Sequence, residues 1–151
     1  MSVRLSVPAA SDRPRQLDVS LLVSRTRRLL RELGHARSEL ALSLVADDEI
    51  KALNRAWRGR SRPTDVLSFS LLEGEHARHR AGLLGDVVIG LEVARKQAAR
   101  RHRSLDEEVS RLTIHGVLHL LGYDHEKSEE RRVMRSEERR LWAVIREAGK
   151  R

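Results

Sequence analysis

The segment HGVLHLLGYDH, residues 115–125, limits what this chain can fold into more than any other feature of the sequence. In a helix, His115 and His119 lie four residues apart, so both rings share one face and can meet at one metal ion. His125 cannot belong to the same straight helix, because six further residues would carry it roughly 9 Å along the axis. Gly122, a residue type favoured just after a helix end, predicts that the chain turns back there. We therefore predict that the three histidines bind one ion.

The ligand set indicates which kind of metal site this is. Three neutral imidazoles without a fourth protein ligand are typical of an open, catalytic zinc site, in which one position is left for water. The chain has no cysteine, so thiolate sites are excluded. We expect one Zn²⁺ per chain, held by His115, His119 and His125, while the same ligands also suit nickel, copper or iron.

The residue after the first histidine argues against a protease. The spacing H-x-x-x-H-x-x-G-x-x-H is that of metzincin metalloproteases, in which a glutamate follows the first histidine and acts as general base. Here that position is Gly116, which has no side chain to accept a proton. A metzincin-like protease is therefore the weakest of the functions considered.

Together with two further motifs, this segment resembles the YbeY family of bacterial endoribonucleases and rRNA maturation factors. The other motifs are PTDVLSF at residues 63–69 and LGDVVI at residues 84–89, and the three follow one another in the family's order. The resemblance implies a single-strand-specific, zinc-dependent endoribonuclease. It further implies a role in the maturation of the 3′ end of 16S rRNA and in ribosome quality control.

The resemblance also implies partners and a second catalytic residue. Arg58 occupies the place at which the family has an arginine that contacts the phosphate, after Leu53, Asn54 and the aromatic Trp57. A guanidinium there would stabilise the charge that develops on a phosphate. Arg58 and His115 are therefore the predicted catalytic residues. The implied partners are single-stranded RNA of an rRNA precursor and the small ribosomal subunit, with no DNA and no membrane.

Length and charge agree with a nucleic-acid partner. At 151 residues the chain is expected to form a single domain over 1–151. The 30 basic residues outnumber the 22 acidic ones, and the formal net charge of +8 attracts polyanions. The lack of cysteine suits a reducing cytoplasm, and no apolar run is long enough for a membrane span or a signal peptide. We therefore expect a cytoplasmic protein.

Two questions remain open at the level of sequence. The general base is not identified: Asp124 lies beside a predicted ligand, but we favour a role in orienting one of the histidines. Asp86 interrupts an apolar strand and is expected to anchor hydrogen bonds near the site. The alternative function is a non-catalytic, RNA-binding ribosome-assembly factor that holds zinc for stability.

Apolar periodicity predicts an α+β domain. We expect a small mixed four-stranded sheet, helices packed mainly on one side, and the zinc site on a central helix. Asp18 and Ser104 are predicted N-caps, the latter within a capping box. The predicted strands cover 2–7, 40–44, 66–72 and 84–89, and the predicted helices cover 17–33, 47–58, 91–103, 105–121 and 128–148.

Overall fold

The strands form where apolar residues alternate or run together, and they pair into one mixed sheet. The computed structural model describes residues 3–7, 17–70, 83–124 and 126–149. Within these ranges the strands are β1 (Val3–Ser6), β2 (Glu39–Val45), β3 (Val66–Ser70) and β4 (Leu83–Gly90). Their order is β1-β2-β4-β3, with β1, β2 and β4 parallel and β3 antiparallel to β4. The predicted mixed, four-stranded sheet is confirmed.

The helices begin and end close to the predicted residues. They are α1 (Val19–Glu32), α2 (Asp47–Arg58), α3 (Leu91–Arg100), α4 (Leu105–Leu120) and α5 (Ser128–Ile145). In the described part of the chain, none of them is both long and apolar enough to cross a membrane.

Side chains cap two helices as expected, while α3 and α5 are shorter than predicted. An Asp18 carboxylate oxygen accepts the N–H of Leu21 at 3.0 Å, and Ser104 Oγ accepts the N–H of Glu107 at 3.0 Å. Helix α3 ends three residues before the predicted end, because His102 has a left-handed backbone (φ 56°) that cannot continue a helix.

Most helices pack on one face of the sheet. Helices α1, α3, α4 and α5 share the main core with the sheet, which is almost wholly aliphatic. Helix α2 lies on the opposite face, where Ile50 packs with Val45, Leu67 and Val88. The prediction of helices mainly on one side is confirmed, with α2 as the exception.

The apolar residues of α2 at helical spacing, Ile50, Leu53 and Trp57, are only partly buried. Ile50 is fully buried and Leu53 is half-buried, but Trp57 is 68% exposed and makes an edge contact with Phe69 of the sheet. The spacing of the stripe is correct for a helix. The last turn of α2 extends past the small apolar patch that the sheet offers on this side, so Trp57 lies outside the core although it shares the apolar stripe.

Candidate active site

Helix α4 brings the first two predicted ligands together. His115 and His119 lie one turn apart near its carboxyl end, and their Nε2 atoms approach to 3.1 Å. The rings cross edge to face, with centroids 4.7 Å apart. Most of the residues around them on α4 are buried in the core, so packing rather than a flexible loop sets the position of both rings.

Gly116 lies on the other side of α4, against the sheet. A Cβ atom on Gly116 would lie 2.7 Å from Val87 Cγ1 and 3.1 Å from Ser68 Oγ. The Ser68 hydroxyl donates to the Gly116 carbonyl oxygen at 3.0 Å, which holds helix and strand together at this point. The missing glutamate of the protease pattern is thus explained: in this fold the position faces β4 and not the cleft.

Helix α4 ends as the sequence predicted. Gly122 has a left-handed backbone (φ 98°), and its N–H donates to the His119 carbonyl at 3.0 Å. The N–H of Tyr123 donates to the Leu118 carbonyl at 3.0 Å, which completes a Schellman motif. The chain therefore turns back immediately after the second histidine. His125, the third predicted ligand, lies outside the described residues.

Glu138 on α5 orients the first histidine. Its Oε2 atom lies 3.2 Å from His115 Nδ1. Since a carboxylate only accepts, Nδ1 carries a proton in this contact, and Nε2 is the ring nitrogen that faces the cleft. This is the carboxylate–histidine arrangement common beside metal ions.

The role of Glu138 was missed from the sequence, although a signal was present. Glu138 falls on the buried stripe of α5 that Met134, Leu141 and Ile145 define. A carboxylate at helical spacing within an apolar stripe needs a partner.

The donors present fit a divalent transition metal such as zinc. Two nitrogens bound tetrahedrally to one zinc at roughly 2.0–2.1 Å are about 3.3 Å apart, close to the observed 3.1 Å between the Nε2 atoms. Among the described residues, no group of three histidine, aspartate or glutamate side chains is placed to hold a metal. The complete three-histidine site therefore stays a prediction, with two of its ligands placed side by side.

Arg58 lies in the same cleft as the two histidines. The cleft has a volume of about 760 Å³ and runs between the end of α2, β3 and the end of α4. Arg58 is the last residue of α2, and Gly59 follows it with a left-handed backbone (φ 69°). The residues that line the cleft include Asn54, Arg58, Arg60, Arg62, Asp65, Ser68, Ser70, His115, His119, Tyr123 and Asp124.

A buried asparagine holds the arginine-rich loop at the rim. Asn54 is buried in α2, and its Nδ2 donates to the Arg62 carbonyl oxygen at 2.9 Å. Asp65 closes the loop: its carboxylate accepts the N–H of Val66 at 2.8 Å and the Gln97 amide at 3.3 Å. These bonds fix the backbone from which Arg60 and Arg62 project.

The two aspartates left open by the sequence lie in different places. Asp124 lines the cleft, but the carboxylate seen on His115 is Glu138. Asp86 pairs with Phe69 across the sheet and, by strand alternation, shares the face of Val88, away from α4. Asp86 therefore lies on the opposite face of the sheet from the histidines.

Arg101, the residue that follows α3, is bound to a buried carboxylate. Arg101 and Arg103 bind the Glu108 carboxylate at 2.9 and 3.2 Å, and that side chain is only 1% exposed. Removing Arg101 would weaken the pairing of a buried charge, so its effects would not report on RNA binding alone.

Comparisons with known proteins agree with this fold. The sequence profile of the family described as "Endoribonuclease YbeY" matches residues 12–146. Relatives with that name come from Anaeromyxobacter sp. (strain Fw109-5), 42% identical over 99% of this chain and 78% of its own, and from Persephonella marina, 47% identical over 79% and 78%. A solution structure from Thermotoga maritima has the same fold, with a TM-score of 0.58 at 24% identity, covering 96% of this chain and 91% of that one.

Proposed function

The chain belongs to the endoribonuclease YbeY family, and from that premise we propose that it is a metal-dependent endoribonuclease specific for single strands. One observation supports this most directly. Two histidine nitrogens converge at 3.1 Å in the cleft that Arg58 also lines, while Glu138 holds the outer nitrogen of His115. The cleft thus combines metal-ligating nitrogens with a cation suited to phosphate.

The residues of the chain have separate roles in this proposal. Glu138 keeps the His115 proton on Nδ1, so that Nε2 faces the cleft as a lone-pair donor. Arg58 binds the scissile phosphate and stabilises the negative charge that develops on its oxygens. Asn54 positions the loop that follows Arg58 through its bond to the Arg62 carbonyl.

His115, His119 and His125 would hold one Zn²⁺ ion. When bound, the metal would supply Lewis-acid activation of a water and of a phosphoryl oxygen. The cleft then needs no glutamate at position 116, where the sheet leaves no room for a side chain.

The family resemblance extends the proposal to a biological substrate. We propose that the chain acts on rRNA precursors, at the 3′ end of 16S rRNA, and in ribosome quality control, with the small ribosomal subunit as partner. A cytoplasmic location follows from that substrate. The net charge of +8 supports an RNA partner through counterion release.

The test combines metal analysis with cleavage of a labelled single-stranded RNA. The purified protein is expected to carry about one zinc per chain and to cut the RNA. A chelator, His115→Ala or His119→Ala should each remove both the metal and the cleavage, and restored zinc should rescue only the chelated parent.

The outcomes separate the proposal from its alternative. Full metal content in His115→Ala would falsify the metal site. If the parent binds zinc and RNA but never cuts, the non-catalytic assembly factor becomes the better account. Strong peptidase activity of the parent would contradict both.

A further inference from the structure

Trp57 is exposed to a degree that packing does not explain. It is 68% exposed, and among the described residues only Val133, at 48%, is a second large apolar side chain classed with it as exposed. A tryptophan is highly buried on average, because its large apolar surface is costly to leave in water. Its exposure here therefore points to a partner that covers it.

None of the chain's Trp, Tyr and Phe side chains is fully buried in the core, although Phe69, Tyr123 and Trp142 pack against its edge. The chain has two Trp, one Tyr and one Phe, and its buried apolar residues are aliphatic side chains and a methionine. Tyr123 lines the cleft, and Phe69 supports Trp57 with ring centroids 5.6 Å apart at 62°. Trp142, by contrast, packs against Arg25 and Arg111 away from the cleft. The edge contact with Phe69 holds the Trp57 ring in place and leaves part of the ring surface exposed.

The charges around Trp57 identify the partner as a polyanion. Arg55, Arg58, Arg60 and Arg62 are all exposed within one turn of α2 and the loop that follows. Trp57 is thus within five residues of four exposed arginines in the sequence, and it directly precedes Arg58, the residue predicted to contact the scissile phosphate. Exposed aromatics combined with arginines form the platforms on which proteins bind unpaired bases.

We propose that Trp57 stacks one unpaired base of single-stranded RNA, with Arg55 and Arg60 contacting the phosphates on either side. This inference rests on the proposed function for its ligand and adds a binding residue outside the cleft. β3 separates the two places: Phe69 touches Trp57, while the neighbouring Ser68 bonds to the Gly116 carbonyl beside His115. The stacked base therefore belongs to a nucleotide that flanks the cleavage position.

The stack should also contribute to the preference for single strands. A paired base is already stacked within its duplex and cannot offer a free face to Trp57 without the cost of unstacking. Any of the four bases has such a face, so the platform should be tolerant of sequence.

The test measures binding of a short single-stranded oligoribonucleotide that is checked to be intact after each titration. Trp57→Ala should weaken binding by about 5- to 160-fold, since one base–aromatic stack contributes roughly 1–3 kcal/mol. Trp57→Phe should retain most of the affinity. The control is Val133→Ala, which removes the other exposed apolar side chain and should leave affinity unchanged.

Three readouts distinguish a base stacked on Trp57 from a general loss of RNA binding. Trp57→Ala should leave the salt dependence of binding unaltered, whereas Arg60→Ala should lower its slope by about 0.7. An oligonucleotide with an abasic nucleotide at the contacted position should bind the parent as weakly as the intact one binds Trp57→Ala, and the two losses should not add. In Trp142→Phe, RNA should quench the fluorescence of Trp57.

Unchanged RNA affinity in Trp57→Ala overturns the stack and makes this face a docking surface for protein instead. That failure is distinct from a failure of the proposed function, because cleavage by the parent is measured separately. If the parent cuts RNA while Trp57→Ala binds it normally, only the stack is lost.

Discussion

Helices α2 and α4 both line the cleft, yet the sheet holds them in different ways. Helix α4 is buried along most of its length and lies so close to β4 that only a glycine fits at position 116. Helix α2 buries Ile50 and Asn54 and leaves its last turn, with Trp57 and Arg58, in solvent. The comparison teaches that the metal ligands are placed by core packing, while the residues for the substrate lie on a helix end that is free to meet it.

The largest expected effect comes from disrupting the packing of α4 against β4. Gly116→Glu forces a Cβ atom to within 2.7 Å of Val87 Cγ1 and buries a carboxylate against the sheet. The variant should lose about 3 kcal/mol or more of the free energy of unfolding, measured by urea denaturation, and should gain no peptidase activity.

A smaller change at the same position tests the cause. Gly116→Ala should be destabilised by about 1–3 kcal/mol, and Val87→Ala should recover part of that loss in the double variant. A Gly116→Glu protein as stable as the parent would show that α4 and β4 are not in the close contact described.

The exposed end of α2 is tested by substituting Arg58 and measuring the turnover rate. Arg58→Ala should lower kcat by about 10²-fold or more while RNA affinity changes little, because the guanidinium meets charge that develops in the transition state. Arg58→Lys should restore only part, since an ammonium lacks the planar fork. Single-turnover kinetics with separately measured affinities checks both points.

The matched control is Arg100→Ala. Arg100 is exposed on α3 and does not line the cleft, whereas Arg101 is held by buried Glu108. If Arg58→Ala and Arg100→Ala lose equal RNA affinity and neither loses turnover rate, Arg58 is only one part of the basic surface.

A third substitution tests whether Glu138 orients His115 for metal binding. Glu138→Gln keeps the shape of the side chain but exchanges a carboxylate for an amide opposite His115 Nδ1. Zinc affinity should fall by about tenfold or more, with little change in thermal stability. Competition with a chromophoric chelator measures the loss. Glu137→Gln, one residue away, should behave as the parent, and an equal loss in both would rule out a specific role.

The smallest expected effect lies at the amino end of α4. Burial raises the pKa of Asp106, partly offset by the N–H of Asp18 that its carboxylate accepts at 2.7 Å. A raised carboxyl pKa favours folding below the unfolded value of about 3.9, and this contribution is lost as the pH rises through the folded pKa.

Asp106→Asn keeps the acceptor and removes the charge. The variant should therefore melt at a slightly higher temperature than the parent at pH 7, and the difference should shrink towards pH 4. Thermal melts of both proteins at pH 7 and pH 4 test this prediction. If the difference in melting temperature grew towards pH 4, it would contradict a raised pKa for Asp106.

Much of the local structure of α4 could be predicted from the sequence. Little could be predicted of how the end of α2 meets the sheet. The spacing of His115 and His119 and the place of Gly122 follow from helix geometry, which is local. The contact of Gly116 with Val87 and the bond of Glu138 to His115 join segments distant in sequence, so no local pattern could give them. The exposure of Trp57 could not be predicted either, because periodicity identifies a face of a helix but not how far the sheet extends beneath it.

The bond between Glu138 and His115 also bears on the order in which the protein is made. The two residues are separated by 23 positions, and the acceptor lies on the last helix of the described chain. Because synthesis proceeds from the amino end, both histidines are present before the carboxylate that orients one of them has been added. A chain interrupted before α5 docks would hold the ligands without the means of aiming them. The candidate site is thus completed only after α5 has been synthesised and has docked against α4.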